Sequence, residues 1–457
     1  MYPSFQKGCR KRLLPLLAAL AAASVLPALA APPASKKSGT PAAPARAAQP
    51  VEIELSHALG ADKGAQLQHL VEQFNKANPS IRVTLSERNW SLGAQPLMSI
   101  VAESDEANFL ASGKRFKPLW QVMKDAREPL AIVKTASAPM MVPSVLDAAG
   151  RLQALPVALS TPVVFYNREA LEAAGVSAAQ VPAHWNGWQE VLGKLRAAGQ
   201  SCPMTVSEAV PTLLENASAW NNQAFVTGGK QEQIAVNGLI QVKHLAKMNT
   251  WYKAQYLRYF GRADEGEAKF AQGECAVLLA PSDAWPTLRR GAGFTVGVAS
   301  YPYHDDAYGA PQNTWADGPA LWVAAGRPAA EYKAAARFIR FWLTPENQVE
   351  WQVKAGYLPL GPAGLLVTQT SRLLSEELAA LRLALAQLTH KPVTASSYAT
   401  AFGHRPGVRR VLAEEMEAVF ADQKPPKQGL DDAVQRIRAG EQGCCRPLAA
   451  MPPGRAN

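Results

Sequence analysis

Apolar and polar positions change period in a regular way along this chain. Val51, Ile53 and Leu55 alternate with polar neighbours, the two-residue repeat of a half-buried strand. Leu67, Leu70, Val71 and Phe74 then recur at three- and four-residue spacing, which places them on one helix face. Pro79 stops that helix, and Ile81, Val83 and Leu85 alternate again. Strand, helix and strand in this order predict a β-α-β unit with a parallel sheet. The order recurs at 163–166 and 169–174, with Gly175 as the helix stop. Asn186, with Gln189 three residues on, predicts a capping box ahead of Val191, Leu192 and Leu195, and Gly199 ends that helix. Residues 293–298 and 320–324 are short apolar strands. Tyr332, Ala335, Phe338, Ile339 and Trp342 mark a buried helical stripe, and Thr344-Pro345 opens a further helix as cap and first residue. The pattern predicts a mixed α/β architecture with two lobes and no internal repeat. Such a fold does not by itself define a function.

The first fifty residues change the picture. Lys7, Arg10, Lys11 and Arg12 form a basic head, residues 13–26 are apolar, and Ala28-Leu29-Ala30 is a small-x-small site. Residues 1–30 are therefore expected to be a cleavable secretory signal, with the mature protein in the periplasm. Cys9 precedes the apolar run, so no lipid anchor is expected there. Residues 31–50 read as an Ala/Pro-rich linker and 439–457 as a disordered tail. The net charge of +10 is concentrated early: seven cations and no acid precede residue 51, which leaves +3 for the body. That is no nucleic-acid footprint, although it suits a small anionic ligand. Cys202 and Cys275 lie in the body, where an oxidising compartment allows either a disulfide or two separate buried thiols.

Catalytic signatures are missing from the sequence. It holds no H-E-x-x-H, G-x-S-x-G, Walker loop or C-x-x-C. His304-Asp305-Asp306 reads as a solvated loop, since consecutive side chains rarely converge on one ion. Glu414-Glu415 reads as a solvated helix face, and Trp185 and Trp188 as helix packing. The expectation is a protein that binds without catalysing, with no cofactor and no metal.

Several stretches carry a specific resemblance: STPVVFYNREALEAAGV (160–176), LLENASAWNN (213–222), FAQGECAVLL (270–279), APQNTWADGPALWV (310–323), AGYLPL (355–360) and R-x-x-x-x-EE (409–415). In matching order over about 51–438 the chain resembles the periplasmic sn-glycerol-3-phosphate-binding proteins of ABC importers, within family 1 of the extracellular solute-binding proteins. The resemblance implies a two-lobed periplasmic-binding-protein fold of type II, with the ligand cleft between the lobes. The chain would cross the hinge near Ser160, Gly318 and Leu360, giving a first lobe of 51–160 and 318–360 and a second of 161–317 and 361–438. It also implies a monomer that hands its ligand to the membrane permease.

By the same resemblance Ser160 hydrogen-bonds the ligand, Gly318 offers close backbone approach, Tyr357 packs on the glycerol carbons and Arg409 grips the phosphate. Trp90 falls where the family has a contacting tyrosine. Other positions depart from the pattern. The interval 102–116 is short by roughly a dozen residues, about two strand lengths of chain, so a strand and the family's contacting glutamate lack counterparts. The second-lobe contact serine aligns with Pro281, beside Ser282, and two cleft tryptophans align with Glu208 and Pro211. The departures leave three readings: glycerol-3-phosphate held by weaker contacts, a glycerophosphodiester or other phosphorylated polyol, or a decayed relative. A sugar binder of the same fold and a secreted phosphoester hydrolase are the rivals. The second would need a metal cluster or an activated nucleophile.

Overall fold

The computed structural model describes residues 49–113, 116–128, 130, 145–147, 149–228, 232–360 and 362–443. The signal segment, most of the linker and residues 444–457, with Cys444 and Cys445, lie outside the described residues. Residues 439–443, given to the tail from sequence, belong to the last helix, Pro426–Gly443, whose Leu430, Ala433, Val434 and Ile437 are buried.

Two five-stranded sheets organise the fold. The first contains β1 (Val51–His57), β2 (Ile81–Glu87), β3 (Met98–Val101), β4 (Leu155–Pro156) and β12 (Ala320–Val323) in the order β2-β1-β3-β12-β4. β1 runs parallel to β2 and β3, and β12 is antiparallel to β3 and β4. The second sheet contains β5 (Pro162–Asn167), β6 (Cys202–Val206), β9 (Leu257–Arg258), β10 (Cys275–Pro281) and β11 (Val296–Ala299) in the order β11-β5-β10-β6-β9. Between them in sequence, β7 (Val226–Thr227) and β8 (Gln233–Ile234) pair as a small ribbon. β5 and β10 are buried at every position, as expected for central strands covered on both faces.

Helices cover both sheets. The helix Ala61–Ala77 buries Leu67, Leu70, Val71 and Phe74, and Phe74 meets Phe338 of the helix Ala329–Trp342 edge to face at 5.2 Å. In the second lobe the helix Trp185–Ala197 buries Trp185, Trp188, Val191, Leu192 and Leu195. Its cap is His184, whose ring accepts the Gly187 N–H, and not Asn186, whose amide reaches Asp305 instead. The helix starts one residue before the Asn-Gly pair, so a histidine ring does the work expected of the shorter side chain. Cys202 and Cys275 face each other across adjacent strands β6 and β10 and form a disulfide. Glu415, expected on a solvated face, is buried, and it pairs with Lys424 and with Arg436 of the last helix. His304 is likewise buried against His244, while Asp305 and Asp306 stay outside.

The chain leaves the first sheet after β4, enters the second at β5, and returns between β11 and β12. These passages lie side by side. Ser160 and Asp317 exchange both backbone hydrogen bonds at 2.9 Å, and the Leu358 N–H donates to the Leu159 carbonyl at 2.8 Å. Gly318 sits at φ +147°, and a Cβ there would lie 1.9 Å from the Ala158 carbonyl oxygen. Only glycine lets the two passages approach this closely.

Candidate functional site

A cavity of about 210 Å³ opens where these passages meet the two sheets. The first lobe contributes Ala58, Leu59 and Lys63 at the start of the helix Ala61–Ala77, and Glu103 at the start of the helix Glu103–Ala111. The second contributes Glu208, Pro211, Thr212, Pro281 and Asp283. Ser160, Thr161, Asp317, Gly318 and Tyr357 form the floor. Three residues expected at the ligand, Ser160, Gly318 and Tyr357, are therefore gathered at one cavity.

The other two lie elsewhere. Trp90 packs edge to face on Phe109 at 5.3 Å and lines a smaller neighbouring pocket that shares Ala58, Leu59, Ala102 and Pro319 with the main one. Arg409, on the helix Val408–Phe420, sits behind the lining. Its Nε and Nη2 donate to Glu215 at 2.9 and 2.7 Å, Nη2 also donates to Asp317, and Nη1 is 3.8 Å from Glu103. All the forked donors thus face carboxylates. The Gly318 N–H, suited to a ligand by position, donates to Asp317 Oδ1 at 2.9 Å.

Charge in this region is dominated by acids. Lys63 is the one cation among the described lining residues, against Glu103, Glu208, Asp283 and Asp317. It forms an ion pair with Asp283 across the cleft, and its ammonium lies 5.0 Å from the Tyr357 ring centroid. Burial would lower the Lys63 pKa, but Asp283 holds it well above the usual range. Burial would raise Asp317, yet His404 and Arg409 hold it well below the carboxylate range. Burial would lower His404, but Asp317 and Glu106, at 3.0 and 3.5 Å, raise it to about 10. Burial, with Glu103 and Asp283 nearby, pushes Glu208 up to about 8. Burial and Asp317 also raise Glu103. At neutral pH Glu208 is mostly protonated, so the lining is less negative than its residue count implies.

Two further features mark the lining. Glu208 adopts a left-handed backbone, φ +46°, which non-glycine residues accept at a cost and which concentrates at functional positions. Thr161 is 1% exposed and its hydroxyl has no hydrogen-bond partner among the described residues. The interval 102–116 was expected to lack the family's contacting glutamate; its helix Glu103–Ala111 begins with Glu103, which lines the cavity. Lys63, Asp283, Asp317 and His404 carried no motif of their own. Asp317 was detectable only as the residue before the hinge glycine.

Two α/β lobes, strand passages meeting at a hinge and a polar cavity at their junction define a solute-binding fold. Residues 69–364 match the model of the bacterial extracellular solute-binding proteins. The sn-glycerol-3-phosphate-binding periplasmic protein UgpB of Pectobacterium atrosepticum is 34% identical over 406 residues, covering 85% of this chain and 90% of that protein. Its counterpart from Salmonella paratyphi A is 33% identical over 402 residues, covering 84% and 91%. This chain belongs to the bacterial extracellular solute-binding protein family. Among solved structures, UgpB from Mycobacterium tuberculosis in complex with glycerophosphocholine superposes with a TM-score of 0.70 at 18% identity, over 86% of this chain and 99% of that one. The cyclic α-maltosyl-1,6-maltose binding protein from Arthrobacter globiformis gives 0.67 at 17% identity, over 85% and 98%. These two likenesses concern the fold.

Proposed function

We propose that this chain is the periplasmic substrate-binding component of an ABC importer, which captures sn-glycerol-3-phosphate between its lobes and delivers it to the membrane permease. It acts as a monomer after removal of residues 1–30 and leaves its ligand chemically unchanged. The observation that carries this reading is the interlobe cavity lined by Ser160, Tyr357 and Lys63. Relatives at one-third identity over most of the chain are named for this ligand.

The ligand's charge is met by Lys63 rather than by Arg409. Lys63 lines the cavity, and a phosphate would replace Asp283 as its partner. Arg409 lies behind the lining with its donors turned to Glu215, Asp317 and Glu103, so its work is to keep buried acids ionised and in place. The Ser160 hydroxyl suits the glycerol part. At about 210 Å³ the cavity falls below the roughly 300–1,000 Å³ of drug-sized pockets and suits a small solute better than an oligosaccharide. Ligand contacts to both lobes would favour the closed form, which a permease could then distinguish from the open one.

A second reading, a glycerophosphodiester, is favoured by the acidic lining, because a diester carries one negative charge fewer than a monoester. Titration calorimetry of the processed chain with sn-glycerol-3-phosphate tests the main reading. Saturable one-site binding is expected. Binding to a maltodextrin, and to no glycerol phosphate, would contradict it.

A further inference from the structure

We infer that the cleft contains an ammonium-binding subsite, with Glu208 as its principal contact and Glu103 beside it, and that the preferred ligand is a glycerophosphodiester bearing a protonated primary amine. This rests on the reading that the cavity takes a glycerol phosphate.

The first support is an imbalance of partners. Asp283 is paired with Lys63, and Asp317 with Arg409 and His404. Glu208 lines the same cavity, with no hydrogen-bond or ion-pair partner for its carboxyl among the described residues. An unpaired carboxyl in a partly desolvated cleft is costly unless something arrives to satisfy it. Its backbone is held in the left-handed region, tied by its N–H to the Ala263 carbonyl at 2.7 Å, so the chain accepts strain to keep it there.

The second support is the orphaned Thr161 hydroxyl. It belongs to the cavity floor, is buried, and has no partner among the described residues. A ligand with several polar groups would supply one.

The amine is primary because of what surrounds it. A quaternary ammonium has no N–H and is recognised by free aromatic faces. Tyr357 offers none: it stacks on Trp351 at 5.6 Å, and Lys63 stands 5.0 Å from its ring centroid. Trp315, the other lining aromatic, packs against Phe225 and donates its indole N–H to the Ser397 carbonyl at 3.0 Å. Carboxylates remain, and carboxylates accept N–H bonds. The ligand would lie with its phosphate toward Lys63 and its amine toward Glu208 and Glu103, each end facing the opposite charge.

This arrangement has a consequence in protons. The groups facing Glu208 are Glu103, Asp283, Asp317 and Arg409; burial and the three acids push it up to about 8, against the opposing pull of Arg409. At pH 7 it is therefore mostly protonated in the empty cleft. An arriving ammonium favours the carboxylate and releases that proton to solvent.

The test is titration calorimetry at pH 7 in two buffers of different ionisation enthalpy. The ligands are sn-glycerol-3-phosphate and the diesters glycerophosphoethanolamine, glycerophosphocholine and glycerophosphoglycerol. Glycerophosphoethanolamine is expected to bind at least tenfold tighter than the neutral-headed glycerol diester, tighter than the choline diester, and with net proton release. Glu208→Gln is expected to reduce the tenfold preference to threefold or less and to abolish the release. Equal affinity for the ethanolamine and glycerol diesters would overturn the subsite while leaving the glycerol phosphate reading intact. Tighter binding of the choline diester would overturn the hydrogen-bonded amine. Failure of all four ligands to bind would overturn both. The proton count needs no variant, so a Glu208→Gln protein that fails to fold leaves the test standing.

Discussion

Replacing Arg409 with methionine separates two roles that the same residue could play. Methionine keeps the length of the side chain and much of its volume, so the change removes charge and hydrogen bonds more than packing. Three donated bonds go: two to Glu215 and one to Asp317. Glu215 is 5% exposed and has no other cation paired with it among the described residues. Asp317 retains His404. Breaking a buried pair from one side costs about 3–5 kcal/mol, since it strands the partner charge. The acids limit that cost by taking up protons, so the lower half of the range, about 3–4 kcal/mol, is expected. Urea unfolding of ligand-free wild type, Arg409→Met, Glu215→Gln and the double variant measures it. The double variant should be more stable than the sum of the singles by about 1–3 kcal/mol, the coupling of a contacting pair. A ligand-free Arg409→Met protein within about 0.5 kcal/mol of wild type, the range for surface changes, but with glycerol phosphate binding abolished, would refute this reasoning. Arg409 would then be a ligand contact and not a buried counter-ion.

Two further outcomes follow from the same network and hinge. His404, raised to about 10, Glu208, raised to about 8, and Glu267 of the helix Glu265–Ala271, which burial and Asp283 raise to about 8, are stabilised in their protonated forms. Their contribution is complete below the unfolded values, about 6.5 for histidine and 4.3 for glutamate, and is lost as pH rises through the folded ones. Asp317, held low, contributes in the opposite sense, and its share fades only in strong acid. Thermal unfolding without ligand should therefore peak near about pH 4 and fall by several degrees toward pH 9; a melting temperature that rises over that interval would contradict the assignments. Gly318→Ala should cost more than about 2 kcal/mol, since it combines a positive φ with a Cβ 1.9 Å from a carbonyl oxygen. Gly293→Ala, where a Cβ meets nothing within 4 Å, should stay within about 0.5 kcal/mol, and urea unfolding of the two variants checks the contrast.

Much of the framework was legible in the apolar periods. The alternation at Val51, Ile53 and Leu55 and the helical stripe from Leu67 to Phe74 are strand β1 and the helix Ala61–Ala77, and β1 and β2 pair in parallel register. The stripe from Tyr332 to Trp342 is the helix Ala329–Trp342. These patterns work because each element buries one face or all of it against a sheet. The sequence did not reveal the charge network. Glu415 and Asp317 look like ordinary surface acids until Lys424, Arg436, Arg409 and His404 arrive from other parts of the chain. Lys63 sits on a helix whose pattern gives a first-turn lysine no special place, and only the meeting of the lobes brings Asp283 to it. The resemblance located Ser160, Gly318 and Tyr357 at the cavity. Its phosphate arginine, Arg409, lies outside the cavity lining with its donors on Glu215 and Asp317.

The capture of a glycerol phosphate between the lobes is tested most directly by a crystal structure of the processed chain grown with sn-glycerol-3-phosphate. The expected result is the ligand in the cavity floored by Ser160 and Tyr357, its phosphate in ion-pair contact with Lys63, and Asp283 displaced from that lysine. An empty cavity at saturating ligand, or the phosphate bound instead at the arginine-lined groove of Arg405, Arg410 and Arg436, would contradict it.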